Sequence, residues 1–466
     1  MRSAPLATAA LLLLLASDAR AGERLVDLEP GIVHSGIATR ADPNQTYDLY
    51  LPPGFDPDRR WPLLLVFDPR SRGRLAAEVF RAAAERQGWM IASSNETMSD
   101  TATMEHNVRA VNALWPDLMT RLPVDERRVY AAGFSGGAML GWILGQRSGL
   151  LAGVVSVGGR LPEGFEGQPP AFASWLAAGT TDFNYVPTLE LADLAARSDR
   201  PYRFEPFDGP HAWFDPEEAD RALAWLEVVA MTEQRRAVDL DLARATFARD
   251  LAGAEGRIAA GDPLGAQRRL EAIAATYRGL LDVSAAETRL RQLAQDPALR
   301  QAEKDERWAR VYEAGARRRF GEALALLRHE AVPPPLARLR AILNVPGMLA
   351  AASPTGARGD AGRRAVASAH SALAFYLTRE MLGADELARA ALALELATEL
   401  RPGDAVAWYN LACARARLGR TEDALEALAT SVRRGLPEGM RPPEQDPDLE
   451  SLRELPAFAR ILAGGG

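Results

Sequence analysis

The stretch RRVYAAGFSGGAML, residues 127–140, decides how the chain folds. It passes from a β-branched and aromatic segment through small residues into an apolar helical pattern, with Gly133, Ser135 and Gly137 at the junction. A strand that turns so sharply into a helix needs small residues where the backbones approach. Outward from this point, short apolar runs alternate with amphipathic helical patterns over residues 32–230. The runs are TYDLYL, PLLLVF, WMIAS, RVYAAGF, GVVSVG, SWLAAG and YRFEPF, bounded by Gly, Pro or Asp, as strands buried on both faces are. Helical patterns fill 75–87, 105–122, 136–146, 188–197 and 217–229. The alternation predicts an α/β fold with a mostly parallel sheet covered by helices.

After residue 231 the strand signals stop, and an Ala-, Leu- and Arg-rich sequence with helical spacing follows. AVPPPLARL at 331–339 and SPTGARGDAG at 353–362 break it into blocks. In the last block Leu377, Ala390, Leu394, Ala397 and Pro402 recur 34 residues later as Leu411, Ala424, Leu428, Ser431 and Leu436, the proline itself slipping to Pro437. This period resembles the tetratricopeptide repeat. Trp408, Leu411, Gly419 and Ala424 occupy that family's positions, while Ala412 and Arg415 depart from them. Repeats must stack to bury their faces, so the helices at 236–330 are expected to stack with these two. The expected organisation is a leader at 1–21, an α/β domain at 22–231, a repeat-like helical region at 232–345 and tetratricopeptide-like repeats at 363–466.

The chain of 466 residues is 47% hydrophobic and 25% charged, the balance of a globular protein. Its net charge of -7, with no dense basic run, speaks against a nucleic-acid partner. Arg2, an apolar core at 6–16 and Ala19-Arg20-Ala21 read as a cleavable export signal, which places the protein in the periplasm or outside the cell. No later segment is apolar for long enough to predict an integral membrane span. The lone cysteine, Cys413, cannot form an internal disulfide and reads as a small core residue.

Gly133-Phe134-Ser135-Gly136-Gly137 fits G-x-S-x-G, a strained strand-to-helix turn that lifts a serine hydroxyl above the sheet. The Gly136 N–H then stands at a helix start, where developing negative charge is favoured. A serine hydroxyl needs a base to take its proton. His211 is the one histidine beyond Ser135 within the α/β region, and it follows the final strand run. Asp182, after SWLAAG, is placed to accept the other ring N–H and fix the tautomer. Glu163 and Glu166 are rivals after the preceding strand, and Asp208 is too near His211 in sequence. The oxyanion hole would pair Gly136 with an N–H from the loop after PLLLVF. Pro69 has none, which leaves Asp68 or Arg70.

Ser135, Asp182 and His211, in that order on alternating strands and helices, resemble the α/β-hydrolase superfamily. DLYLPPGFDPDRRWPLLLVFDP, VDERRVYAAGFSGG and GTTDFNY look more narrowly like the compact esterases grouped with phospholipase/carboxylesterases and polyhydroxybutyrate depolymerases. Many relatives carry His-Gly where this chain has Asp68-Pro69. The resemblance covers residues 32–230 and implies hydrolysis of a carboxylic ester through an acyl-enzyme.

So short a domain leaves little room for a lid, and an open site is expected. Phe134 and Trp213 are candidate substrate contacts, and Phe183 and Tyr185 lie beside the acid. His106 reads as a helix-surface residue. No metal motif, phosphate loop or dinucleotide fingerprint is present, so no cofactor is expected. Asp215, Glu217, Glu218 and Asp220 form an acidic helix start that favours the dipole. The expected partners are a small or polymeric ester and, through the helical repeats, a protein or peptide. The same three residues would also serve a serine peptidase or acyltransferase. An inactive hydrolase domain acting as an interaction scaffold is the non-enzymatic alternative.

Overall fold

A computed structural model describes residues 25, 28–99, 104–436 and 440–464. The expected leader at 1–21 and Pro437 lie outside the described residues. The α/β region runs β1 (Val33–Ala38), β2 (Thr46–Tyr50), β3 (Trp61–Phe67), α1 (Gly73–Gln87), β4 (Met90–Ser94), α2 (Glu105–Arg121), β5 (Val124–Phe134) and α3 (Gly136–Ser148). It continues with β6 (Gly153–Val157), β7 (Ala173–Gly179), α4 (Tyr185–Ala195), β8 (Tyr202–Phe207) and α5 (Pro216–Thr232). Each of the seven apolar runs becomes a strand. β1 precedes them with the sequence VHSGIA, in which only Val33 is buried.

The strands form one sheet in the order β1-β2-β4-β3-β5-β6-β7-β8. β2 pairs antiparallel with β1 and β4, and every pairing from β4 to β8 is parallel. This is the α/β-hydrolase fold. Strand alternation divides the core in two. Leu63, Leu65 and Phe67 of β3 face α2, α3 and α4, where Leu118, Trp142 and Leu189 complete one layer. Leu64 and Val66 face α1 and α5, meeting Phe80, Leu223 and Trp225. Parallel strands present their carboxyl ends at one rim, so the loops after β3, β5, β6, β7 and β8 gather there.

Three further helices, α6 (Leu240–Ala259), α7 (Pro263–Tyr277) and α8 (Ser284–Leu293), belong to the same compact unit, which ends at Glu303. β8 is an edge strand carrying two fully buried charges, Arg203 and Glu205. Buried charges need partners, and α6 and α7 supply them. Arg203 pairs with Asp250 of α6, which also accepts the Tyr277 hydroxyl at 2.8 Å. Glu205 pairs with Arg269 of α7 and, at 3.2 Å, with Arg257 of α6. Arg257 also donates to the Pro206 carbonyl at 2.8 Å. Trp225 of α5 donates to Thr276 at 3.0 Å. The stretch at 236–330 was expected to stack with the C-terminal repeats. Its helices up to Leu293 instead belong to the compact unit of the sheet: α7 packs on β8, α6 and α7 pack on α5 and neutralise the charges of β8, and α8 packs on α7.

The second compact unit begins at Lys304. It holds most of α9 (Pro297–His329), then α10 (Leu336–Leu343), α11 (Val345–Ala352), α12 (Ala357–Ser371), a π-helical turn (Ala372–Leu377) and α13 (Thr378–Gly383). α14 (Leu387–Leu400), α15 (Ala405–Arg417), α16 (Thr421–Arg434) and α17 (Pro456–Leu462) follow, with short 3-10 turns before the last. Leu377, Ala390, Leu394 and Ala397 are buried, as are Leu411, Ala424, Leu428 and Ser431 at the 34-residue offset. The turn geometry repeats as well. Gly419, between α15 and α16, has φ 73°, and Asp385, 34 residues earlier between α13 and α14, has φ 56°. Cys413 is buried in the core shared by α15 and α16. Among the described residues no helix is long and apolar enough to cross a membrane.

Candidate active site

β5 ends in the elbow. Ser135 has φ 53° and ψ -117°, a conformation that costs a non-glycine residue about 1–3 kcal/mol and persists only where the surroundings enforce it. The glycines explain how the turn closes. A Cβ on Gly133 would lie 2.2 Å from the Gly137 carbonyl, and one on Gly137 would lie 2.0 Å from the Phe67 carbonyl of β3. A Cβ on Gly136 would meet Ser99 at 2.3 Å. The Ser135 N–H is anchored to the Val157 carbonyl at the end of β6, 2.8 Å away.

The loops after β7 and β8 are stitched together. Thr180 N donates to the Phe207 carbonyl at 2.8 Å, and Thr181 donates to the Gly209 carbonyl through its N–H at 3.0 Å and its hydroxyl at 2.9 Å. This alignment sets Asp182 against His211. His211 Nδ1 lies 2.8 Å from Asp182 Oδ1, and Nε2 lies 2.9 Å from Ser135 Oγ. Asp182 is fully buried and is braced by the Asn184 N–H at 2.7 Å. Asn184 in turn donates its amide to the Gly158 carbonyl at 2.8 Å. Phe134 and Phe183 pack on the imidazole, with ring centroids 4.5 and 4.2 Å away. Gly158, at φ 55°, completes the enclosure, because a Cβ there would lie 2.7 Å from Asp182 Oδ2 and 3.1 Å from His211 Nδ1. Its glycine-glycine step reads in sequence only as a strand end.

The rivals for the acid stand elsewhere. Glu163 and Glu166 are exposed, and Asp208 accepts from the Thr180 hydroxyl at 3.2 Å. His106 bonds the Glu96 carbonyl.

The loop after β3 corrects one expectation. The Arg70 N–H donates to Asp68 Oδ1 at 2.9 Å, so it is not available as an oxyanion donor. The Ser71 N–H is engaged by the Thr97 carbonyl at 3.0 Å. With Pro69 lacking a donor, the Asp68 N–H remains as the candidate from this loop. The Asp68 carboxylate is fully buried and takes a two-pronged ion pair from Arg72, Nε and Nη2 each at 2.9 Å. Hydrogen bonding to Asp68 raises the Arg72 guanidinium above its ordinary value. Asp68 Oδ2 also accepts the indole N–H of Trp213 at 2.9 Å. Trp213 packs on Phe80 and Phe134 with centroids 5.8 and 5.7 Å away, so only part of its ring is open to a substrate.

Asp215 caps α5 by accepting the Glu218 N–H at 2.9 Å. Asp220 is held by Arg86 at 2.9 Å and Arg249 at 2.6 Å. The acidic helix start is thereby accounted for by capping and ion pairs. Cys413, Asp446 and Asp448 could offer three metal-ligand atoms within 4.8 Å of one another. Burial pushes the Cys413 thiol well up, and Asp446 already accepts the Tyr409 hydroxyl at 2.8 Å, both unfavourable to a thiolate metal site. A cavity of about 380 Å³ lies at the start of β8, lined by Tyr202, Arg268 and Glu271, at the far end of that strand from His211.

No family model and no curated protein matches the chain. Among solved structures it is similar to a ferulic acid esterase, at 16% identity over 42% of this chain and 96% of that one, with a TM-score of 0.35. It is likewise similar to a hyperthermophilic esterase from the archaeon Pyrobaculum calidifontis, at 15% identity over 43% and 87%, with a TM-score of 0.35. An S-formylglutathione hydrolase from Staphylococcus aureus gives 15% identity over 43% and 98%, with a TM-score of 0.36.

Proposed function

We propose that the α/β unit is a serine hydrolase acting on carboxylic esters. The observation that carries this reading is the continuous chain Ser135 Oγ, His211, Asp182, with contacts of 2.9 and 2.8 Å. His211 takes the Ser135 proton as Oγ attacks the acyl carbonyl, and Asp182 stabilises the imidazolium and holds its tautomer. The N–H groups of Gly136 and Asp68 receive the oxyanion. His211 then returns the proton to the leaving alkoxide, leaving an acyl-enzyme. A water, deprotonated by the same imidazole, releases the acid and restores Ser135. The ring faces of Phe134 and Trp213 border the acyl site.

The protein is exported through cleavage of its leader and acts in the periplasm or outside the cell. Its C-terminal helices form tetratricopeptide-like pairs that hold a protein or peptide partner. The recurring buried positions and the left-handed turns at Asp385 and Gly419 support the repeat reading. Hydrolysis of p-nitrophenyl, feruloyl and phospholipid esters, beside a peptide amide, tests the assignment. Turnover of at least one ester that disappears in Ser135→Ala is the expected result. Ester turnover unchanged by that substitution refutes it.

A further inference from the structure

We propose that Asp68 is a positioning residue whose buried carboxylate locks the loop after β3 to the loop that carries His211. The inference rests on the triad reading above. β3 lies beside β5 in the sheet, and Phe67 is in register with Gly133. The residue after Phe67 therefore stands next to the elbow, and whatever fixes this loop fixes the wall of the oxyanion site. On the other side, Trp213 is two residues from His211. The Asp68 carboxylate meets both. Oδ1 takes the Arg70 N–H at 2.9 Å and shapes the loop. Oδ2 takes the Trp213 indole N–H at 2.9 Å and tethers the histidine loop.

The carboxylate is built into place. It is fully buried, and Arg72 supplies its countercharge through two parallel bonds at 2.9 Å. A group so enclosed, with both oxygens occupied, cannot itself move protons for the substrate. Its contribution is geometric: it sets the oxyanion-side backbone and the general base in one fixed relation. Such a relation acts on the transition state more than on ground-state binding, so its loss appears in kcat and not in KM. Misplacement by about 1 Å from outside the reacting groups costs about 100-fold in rate.

The test is a double-mutant cycle with Asp68→Asn and Trp213→Phe on the full chain, read by ester kinetics and by the rate of inactivation with a fluorophosphonate. Trp213→Phe keeps a smaller ring against Phe80 and Phe134 while removing the indole donor, so it reports on the link even where Asp68→Asn fails to fold. The cycle with Asp68→Asn separates loss of the link from loss of ring area. Each single variant is expected to lower kcat and the inactivation rate by about 10- to 100-fold, with KM within about threefold of wild type. The double variant is expected to be no slower than the slower single one, because both changes break the same link. Trp213→Phe with wild-type kcat, or single effects that multiply in the double variant, would overturn the inference while wild-type, Ser135-dependent turnover leaves the triad reading standing. Absence of that turnover in the wild type would remove both.

Discussion

The imidazole Nε2 of His211 lies 2.9 Å from Ser135 Oγ, although 76 residues separate the two in the chain. What closes that separation is the sheet. β5 delivers the serine and β8 leads to the histidine, with β6 and β7 between them. Asp182 joins from the loop after β7, so the three groups meet at the carboxyl ends of nearly neighbouring strands.

Asp182→Asn preserves shape but lets His211 adopt the wrong tautomer. It should lower kcat by about ten-thousand-fold with an unchanged circular dichroism spectrum. A loss below tenfold would mean that the aspartate is not the partner on which the imidazole depends.

Gly158→Ala places a methyl group 2.7 Å from Asp182 Oδ2 and 3.1 Å from His211 Nδ1. The left-handed backbone at φ 55° adds strain of its own. The expected outcome is a fall in kcat of about 10- to 100-fold with the protein still folded at 25 °C. Steady-state kinetics and a thermal melt check the two parts.

The α/β domain is not expected to stand without α6 and α7. A chain ending at Thr232 removes the ion-pair partners of Arg203 and Glu205 and uncovers Val228 of α5, which packs against Ala254, Leu270 and Ile273 of α6 and α7. It should be recovered insoluble or without a cooperative melt. Asp250→Ala in the full chain strands Arg203 and should cost about 3–5 kcal/mol in urea unfolding.

The same network gives stability a pH dependence. Burial alone would raise the Asp250 carboxyl, but Arg203 and the Tyr277 hydroxyl outweigh it and hold the group below its ordinary range. Burial is likewise outweighed at Glu205 by Arg269, Arg257 and Arg203. Carboxyls lowered in the folded state stabilise it above their unfolded values near 4, and that contribution is lost as pH falls through the folded values. The urea midpoint should therefore drop below about pH 4. Asp250→Asn should flatten that drop, and a midpoint in wild type that is level down to pH 2 would contradict it.

Much of this was legible because glycines and strand boundaries report local geometry directly. GFSGG can adopt the elbow only where β5 ends, and Asp182 and His211 follow from which loops must share its rim. Arg70 misled because the donor it offers is consumed by a neighbour two residues back. The tripeptide Asp68-Pro69-Arg70 does signal such a turn, since aspartate side chains cap the N–H two residues on. The docking of α6 and α7 was hidden because helical periodicity tells which face is buried, not what covers it. Its one sequence trace was the pair Arg203 and Glu205 inside a strand. The tie between Asp68 and Trp213 joins residues far apart in sequence and has no local signature.

The central claim is that Ser135 Oγ is a nucleophile activated by His211. The most direct measurement is the mass of the intact protein after treatment with a fluorophosphonate, followed by peptide mapping. A single adduct on the peptide containing Ser135, absent in Ser135→Ala and formed far more slowly in His211→Ala, is the predicted result. No adduct in the wild type, or one on another residue that persists in Ser135→Ala, would contradict it.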